Sequence, residues 1–359
     1  MSRFLSSPWS SLSRSGFSEN LAQLRLGRRA MLAVPLLGGL CNAYGASRST
    51  PSVLRRREVV MGTAVDIVAL GDDEGAVAAA VQAAYRRMRE LEAQFSRFQP
   101  DSVISRISMH AGKQAVPVPP NVMDLLLAAQ RVNASSGGAF DITVGGLKAW
   151  QFGEGLQRMP DAKEVTRQLG YVNAQALVLN LVAGTAHLKK PGMALDMGGI
   201  AKLPILDEAM QVLQAHGVQD GLINGGGDVV VSGSMHGKPW RVGLRDPRDP
   251  SRLLGAVSVQ GQAVVASSGD YERCFFHDGQ RMHHVLNPRT GWPSTGVHGV
   301  SMVARTVQEV NGLGAAMMVM GPAAAQALAR RVPGLPMLLA QADGKVWQSS
   351  AMERSLERA

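Results

Sequence analysis

From residue 59 onward the chain switches between helical and strand periodicity, and the two periods divide it into elements. Val59–Leu70 (VVMGTAVDIVAL) alternates, is rich in β-branched residues and predicts a first strand. Asp72–Asp73 cap a long helix whose positions Val77, Val81, Ala84, Met88, Leu91 and Phe95 form one apolar stripe. Ser96–Ser102 ends it, and a short helix is expected at Val103–Ser108. Pro119–Pro120 opens another helix, with Val122, Leu125, Leu126, Ala129 and Val132 on one face and Ser135–Gly138 as its stop. Leu177–Leu181 and Ala186–Leu188 predict a hairpin through Ala183–Gly184, and a helix follows Lys202. Gly221–Val229 reads as strand, glycine turn, strand. Ala263–Ala266 is a β-branched run broken by Ser267–Asp270. Cys274–Phe276 and Met282–Leu286 flank a turn at His277–Gly279, and Asn287–Gly291 closes a rigid turn. Val297–Ala304 predicts a strand, Thr306–Met320 and Ala323–Val332 helices, and Pro336–Ala340 with Lys345–Trp347 a closing hairpin. No internal repeat or low-complexity linker divides the body, so one domain is expected over about residues 55–348, with 349–359 as a tail.

Composition narrows the class. With 45% hydrophobic and 18% charged residues among 359, the chain is globular rather than disordered. The net charge of +9 is no nucleic-acid footprint. Several of the basic residues lie in the first 60 positions, and no Lys/Arg-rich run with interleaved aromatics occurs in the body. Arg28–Arg29 precede an apolar run, Ala30–Leu40, and small residues around Ala43–Ala46, the layout of a secretory signal over residues 1–46. The arginine pair points to twin-arginine export, hence to a periplasmic protein or one on the outer side of the inner membrane. The apolar run is too short for a full span, so no stable membrane span is expected once the signal is removed. Bulky Leu40 argues against a lipoprotein reading of Cys41. Removal of the signal leaves Cys274 alone, which excludes an intramolecular disulfide and a cysteine metal site.

The densest chemistry lies in Gln262–Pro293. Ser267, Ser268, Asp270, Tyr271, Arg273, His283, His284, Asn287 and Arg289 gather there at strand ends. Hydroxyls, a histidine pair and two arginines on a sheet rim suit a phosphate-bearing ligand, and the same residues also fit an ordinary hairpin with a polar rim. Adjacent strand residues face opposite ways, so only one of His283 and His284 can serve a site. Gly198–Gly199 precede a helix whose N-terminus can meet phosphate, and consecutive glycines at Gly225–Gly227 can form an anion-binding concavity.

SSGDY (Ser267–Tyr271) followed by HVLNPRTGWP (His284–Pro293) resembles the signature of the FAD:protein FMN transferase (ApbE) family, and other blocks follow in family order. They are MGT at Met61–Thr63, SRFQPDS at Ser96–Ser102, AFDITVGGL at Ala139–Leu147, ALDMGGIAK at Ala194–Lys202, LINGGGD at Leu222–Asp228 and WRVGLRDP at Trp240–Pro247. The resemblance implies an α+β fold of mixed sheets with flanking helices, related to the tunnelling-type ApbE fold. It implies transfer of FMN from FAD to a Ser/Thr of a target flavoprotein carrying Asp-Gly-x-Ser/Thr-Gly-Ala-Ser/Thr, with release of AMP. FAD is then the donor and Mg²⁺ the expected metal. Met61, Phe98 and Val285 would contact flavin, and Ala139, Phe140 and Asp141 would hold flavin or pyrophosphate. Asp196 would bind the adenosine part, Lys202 would contact FAD, and His284 would aid proton transfer. On their residues alone, Met61 also fits a core methionine, Asp141 a turn cap and His284 a structural hydrogen bond. The family's metal ligands fall on the Gly199 carbonyl, Asn311 and Ala315, where Asn replaces Asp and Ala replaces Thr. Leu203–Pro204 replace the family's Gly-Tyr, which places bulk near the nucleotide site. These departures leave a second function open: a non-catalytic flavin-binding accessory protein of the same fold.

Overall fold

The computed structural model describes residues 51–153, 155–249 and 251–358; the expected signal segment, 1–46, lies outside them. The chain opens with a hairpin, β1 (Ser52–Val60) and β2 (Thr63–Gly71), where sequence periodicity gives one strand over 59–70. The break is at Met61–Gly62, with φ of 57° and 66°, the paired left-handed conformation of a two-residue hairpin turn. Helix α1 (Glu74–Phe95) follows, its Asp73 side chain accepting from the Ala76 N–H and its whole predicted stripe buried. Next come α2 (Val103–Met109), β3 (Val116–Pro117), α3 (Pro120–Ser135) and α4 (Ala162–Leu169). The predicted hairpin is β4 (Leu177–Asn180) and β5 (Thr185–Leu188); α5 (Lys202–Ala215), β6 (Asp220–Gly225) and β7 (Asp228–Ser232) follow.

Strands β8 (Trp240–Arg245) and β9 (Leu253–Val259) pair with each other. Strand β10 runs over Ala263–Gly269, so Ser267–Gly269 extend the strand rather than break it. The reason is pairing: Ser267, Ser268 and Gly269 lie opposite Ser301, Val300 and Gly299. Strands β11 (Cys274–His277) and β12 (Gln280–His283) make a two-stranded ribbon that stops at His283, short of the expected Leu286. Strand β13 (Val297–Ala304) is as expected. The helix expected over 306–320 is divided: a capped turn at Thr306–Glu309 and then α6 (Leu313–Met320). Gly312, at φ 78°, separates the two. Then come α7 (Pro322–Arg330), β14 (Met337–Gln341) and β15 (Val346–Gln348). Residues 349–359, read from sequence as a tail, continue as α8 (Ser350–Ser355) and β16 (Leu356–Glu357), which pairs with β9.

Eight strands form one antiparallel sheet in the order β1-β2-β6-β7-β10-β13-β14-β15. One face packs on α1, α5 and α6, the other on the small sheet β16-β9-β8. Burial on both faces explains the central strands. In β7, Val230 enters the helical core while Val229 and Val231 enter the second core; in β10, Val264 and Ala266 face one way and Ala263 and Val265 the other. The fold is α+β with flanking helices, as expected, and its sheets are antiparallel. No helix among the described residues is long and apolar enough to cross a membrane.

Candidate functional site

The site forms where loops leave the helical face of the large sheet. Its base is the stretch into α5. The Asp196 N–H donates to the Ile142 carbonyl (2.7 Å), and Asp196 Oδ1 accepts from the Gly198 N–H (2.8 Å), a local turn of the kind aspartate favours. Gly198 and Gly199 stay exposed, and the chain then rolls into α5 at Lys202. A Cβ on Gly199 would lie 3.1 Å from the Phe140 ring and 3.7 Å from Ala315 Cβ, so these three sequence-predicted residues do converge. Leu203 does not obstruct: it is 6% exposed and buried in the core.

The charges come from four separate segments. Lys202 Nζ lies 3.2 Å from Asp228 Oδ2, and Asp228, at the start of β7, is buried with Oδ1 accepting from the Ser267 N–H (2.9 Å). Burial works to lower the Lys202 pKa, but Asp228 and Glu272 outweigh it and the net direction is upward. Arg273, between β10 and β11, reaches the Met61 carbonyl (3.4 Å) and leans over the Met61–Gly62 turn. Arg97 pairs with Asp196 Oδ2 (3.1 Å) and stacks 4.9 Å from the centroid of the Phe98 ring, which is 71% exposed.

The two histidines divide as strand geometry requires. His283 is buried, with Nε2 against the Ser294 carbonyl (2.8 Å). His284 lies just past the ribbon; the residue is exposed, and protein atoms crowd around its ring. Its pKa is pushed down to about 4, first by desolvation and then by His283, Arg273 and Lys202, against the pull of Asp196. The ring is therefore neutral at pH 7. Val285 beside it is half-buried against the core, its carbonyl accepting from the Ser294 N–H.

Other predicted residues have structural tasks. The Asp141 carboxylate accepts from the Thr143 N–H and hydroxyl and from the Ala174 N–H (2.8, 2.7 and 3.0 Å). Burial raises its pKa against those bonds. It is a loop anchor, the turn-cap alternative, rather than a free ligand. Ala139 is buried, and Asn133 donates to the Phe140 carbonyl, which fixes the Phe140 ring against Gly199. Arg289 donates to the Gly137 carbonyl (2.7 Å) and ties the Asn287–Gly291 turn to the same loop. The ribbon is fastened by buried Asp270, which pairs with Arg281 (2.6 Å) and His298 (2.5 Å). Arg97, Asp228 and Glu272 escaped the sequence reading. The acidic residue closing LINGGGD and the arginine after Ser96 were visible there, but their partners come from other blocks.

The donor set fits Mg²⁺ poorly. Asn311 is buried and its Nδ2 donates to the Ile200 carbonyl (2.9 Å), which leaves only a neutral amide oxygen, a weaker ligand for a hard cation than a carboxylate. Ala315 offers only a methyl group, and among the described residues no cluster of three His, Cys, Asp or Glu could hold a metal. A cavity of about 180 Å³ between α5 and the turn at Thr306 contains none of the predicted site residues.

Glycines, cations and a neutral histidine thus gather at the helical face of an antiparallel sheet, an arrangement that suits an anionic ligand. The chain belongs to the ApbE family, whose sequence profile matches residues 61–339. It is similar to the FAD:protein FMN transferase of Klebsiella pneumoniae strain 342 (34% identical, 66% of this chain and 72% of that one). It is also similar to the FAD:protein FMN transferase of Treponema pallidum strain Nichols (31% identical, 83% and 87%). Among solved structures, the ApbE protein of Thermotoga maritima MSB8 superposes with a TM-score of 0.78 at 29% identity, covering 86% of this chain and 100% of that one. The flavin transferase ApbE of Vibrio cholerae gives 0.73 at 26% identity, covering 85% of this chain and 100% of that one.

Proposed function

We propose that the chain is an exported FAD:protein FMN transferase. The observation that carries this reading is that His284 lies within electrostatic reach of Lys202 and Asp196, on the segment whose Gly199 lies against Phe140. The hydroxyl oxygen of a target Ser or Thr attacks the FMN-side phosphorus of FAD, the bond to the bridging oxygen breaks, and AMP leaves with that oxygen. Neutral His284 accepts the hydroxyl proton. Lys202, Arg273 and Arg97 are the cations that the site offers to the diphosphate. Phe98 is exposed and Met61 half-buried against the core, and both are side chains that suit a flavin face. No step is assigned to magnesium, because Asn311 offers a neutral amide oxygen in place of a carboxylate and Ala315 offers no ligand.

That substitution favours a second reading, a flavin-binding accessory protein without turnover. One experiment separates them: purified protein, FAD and a flavoprotein bearing the Asp-Gly-x-Ser/Thr-Gly-Ala-Ser/Thr motif, followed for AMP release and covalent flavin fluorescence in EDTA and in Mg²⁺. The transferase reading expects slow flavinylation with stoichiometric AMP and little gain from Mg²⁺. Saturable FAD binding with no AMP leaves the accessory reading, and no FAD binding removes both. Export is proposed from Arg28–Arg29 and the apolar run behind them. Lysine at both positions should retain the protein in the cytoplasm, and normal export of that variant would remove the twin-arginine route.

A further inference from the structure

We infer that Asp228 is a positioning residue: its carboxylate, locked by the Ser267 backbone, holds the Lys202 ammonium charged and in place for an anionic ligand. The inference rests on the FAD reading above and adds a residue and a property to it.

The geometry leaves Asp228 little other work. It is 7% exposed, and both carboxylate oxygens are spent, Oδ1 on the Ser267 N–H at 2.9 Å and Oδ2 on Lys202 Nζ at 3.2 Å. Ser267 is itself fixed by strand pairing with Ser301, so the carboxylate is held by the sheet rather than by a flexible loop. Lys202 is the first residue of α5, so its Cα is fixed by the helix and its long stem by burial. An ammonium has three N–H donors. One points at Asp228, and the side chain keeps 28% of its surface open to an anionic ligand.

An ammonium in so crowded a place needs a fixed counter-charge. Burial and Arg273 push Lys202 toward losing its proton; Asp228 and Glu272 oppose them. His284 also senses the Lys202 charge, from the ribbon end, and that of Asp196, which is paired with Arg97. Glu272 is exposed, so solvent screens it, while Asp228 is buried in contact. Asp228 is therefore the group whose removal lets the lysine titrate in the weakly alkaline range, as desolvated lysines do.

The test is the pH dependence of FAD binding, read by flavin fluorescence quenching for wild type, Asp228→Asn and Asp228→Asn/Lys202→Arg. Asparagine keeps an oxygen for the Ser267 N–H, so the strand end stays closed. Wild type should hold one Kd from neutral pH to the weakly alkaline range. Asp228→Asn should lose affinity by about tenfold across that range as Lys202 deprotonates. The double variant should regain a flat profile, because a guanidinium does not titrate there. A flat profile for Asp228→Asn, or an alkaline loss that persists in the double variant, overturns the inference. Failure of wild type to bind FAD at all overturns the FAD reading and the inference with it. Should Asp228→Asn not fold, Asp228→Glu serves: it keeps the charge, so pH independence is expected, and an alkaline loss there overturns the inference.

Discussion

Asn311→Asp restores the carboxylate that the ApbE resemblance expects, and the structure says what that costs. The Asn311 amide donates to the Ile200 carbonyl at 2.9 Å and is 9% exposed. Aspartate removes the donor, leaves the Ile200 oxygen unpaired and faces it with a second acceptor. Loss of a buried hydrogen bond costs about 1 kcal/mol, and the stranded acceptor with its new charged neighbour adds about 1–3 kcal/mol. Stability in EDTA should therefore fall by about 2–4 kcal/mol. A cation seated between the introduced carboxylate and the Gly199 carbonyl would reverse the repulsion. Adding Ala315→Thr puts a hydroxyl on the Cβ that now lies 3.7 Å from where a Gly199 Cβ would be, so an oxygen ligand is added beside Gly199. Mg²⁺ at about a hundred times its Kd would then return about 2.7 kcal/mol to the double variant. Urea unfolding followed by circular dichroism, with EDTA or with millimolar MgCl₂, measures both effects. The reasoning is refuted if Asn311→Asp is as stable as wild type in EDTA, or if Mg²⁺ stabilises the wild type as much as the double variant.

Two further outcomes follow from the site. Asp141→Ala removes an anchor for three hydrogen bonds to Thr143 and Ala174, and should lower stability by about 2–3 kcal/mol in urea unfolding; an unchanged midpoint would contradict the anchor role. His284 has a folded-state pKa depressed to about 4, below its value in the unfolded chain, so the unfolded state binds the proton first as pH falls. Its contribution to stability is complete above about pH 6.5 and is lost between there and about pH 4. His284→Gln should flatten the pH dependence of stability in that window, and should also abolish flavinylation; an unaltered pH profile would contradict the depressed pKa.

Much of the fold was legible because each element obeyed one period. The stripe of α1 and the Asp73 cap suffice for that helix, and the all-apolar runs of β7 and β10 reflect cores on both faces. The misreadings share a cause: backbone conformations that hydrophobicity does not report. Met61 adopts φ 57°, an uncommon state for a residue with a side chain, so the strand pattern ran through the turn. Gly312 sits in an apolar stretch that reads as continuous helix, yet its φ of 78° and close packing on Val132 separate Asn311 from α6. In the site, the blocks were legible but their pairings were not. Lys202 with Asp228, and Asp196 with Arg97, are ion pairs between segments that only the closed fold brings together.

The break at Gly312 bears on the metal question directly. On a continuous helix, positions 311 and 315 would be stacked one turn apart by helical spacing alone. Here Asn311 precedes the helix, and its orientation is set instead by the bond to Ile200, in the turn that leads into α5. Asn311 thus ties the start of α6 to the start of α5, next to Gly199, and Ala315 closes the remaining gap against the Gly199–Phe140 contact. The Asn311 Nδ2 is bonded and Ala315 brings a methyl, so of these two side chains only the Asn311 oxygen is left to face a cation. The two positions should therefore be coupled: Ala315→Thr alone should gain nothing from Mg²⁺, while its effect on the Asn311→Asp background should be favourable and Mg²⁺-dependent. A double-mutant cycle measured with and without Mg²⁺ reads that coupling, and strict additivity in both conditions would show that 311 and 315 do not share a cation site.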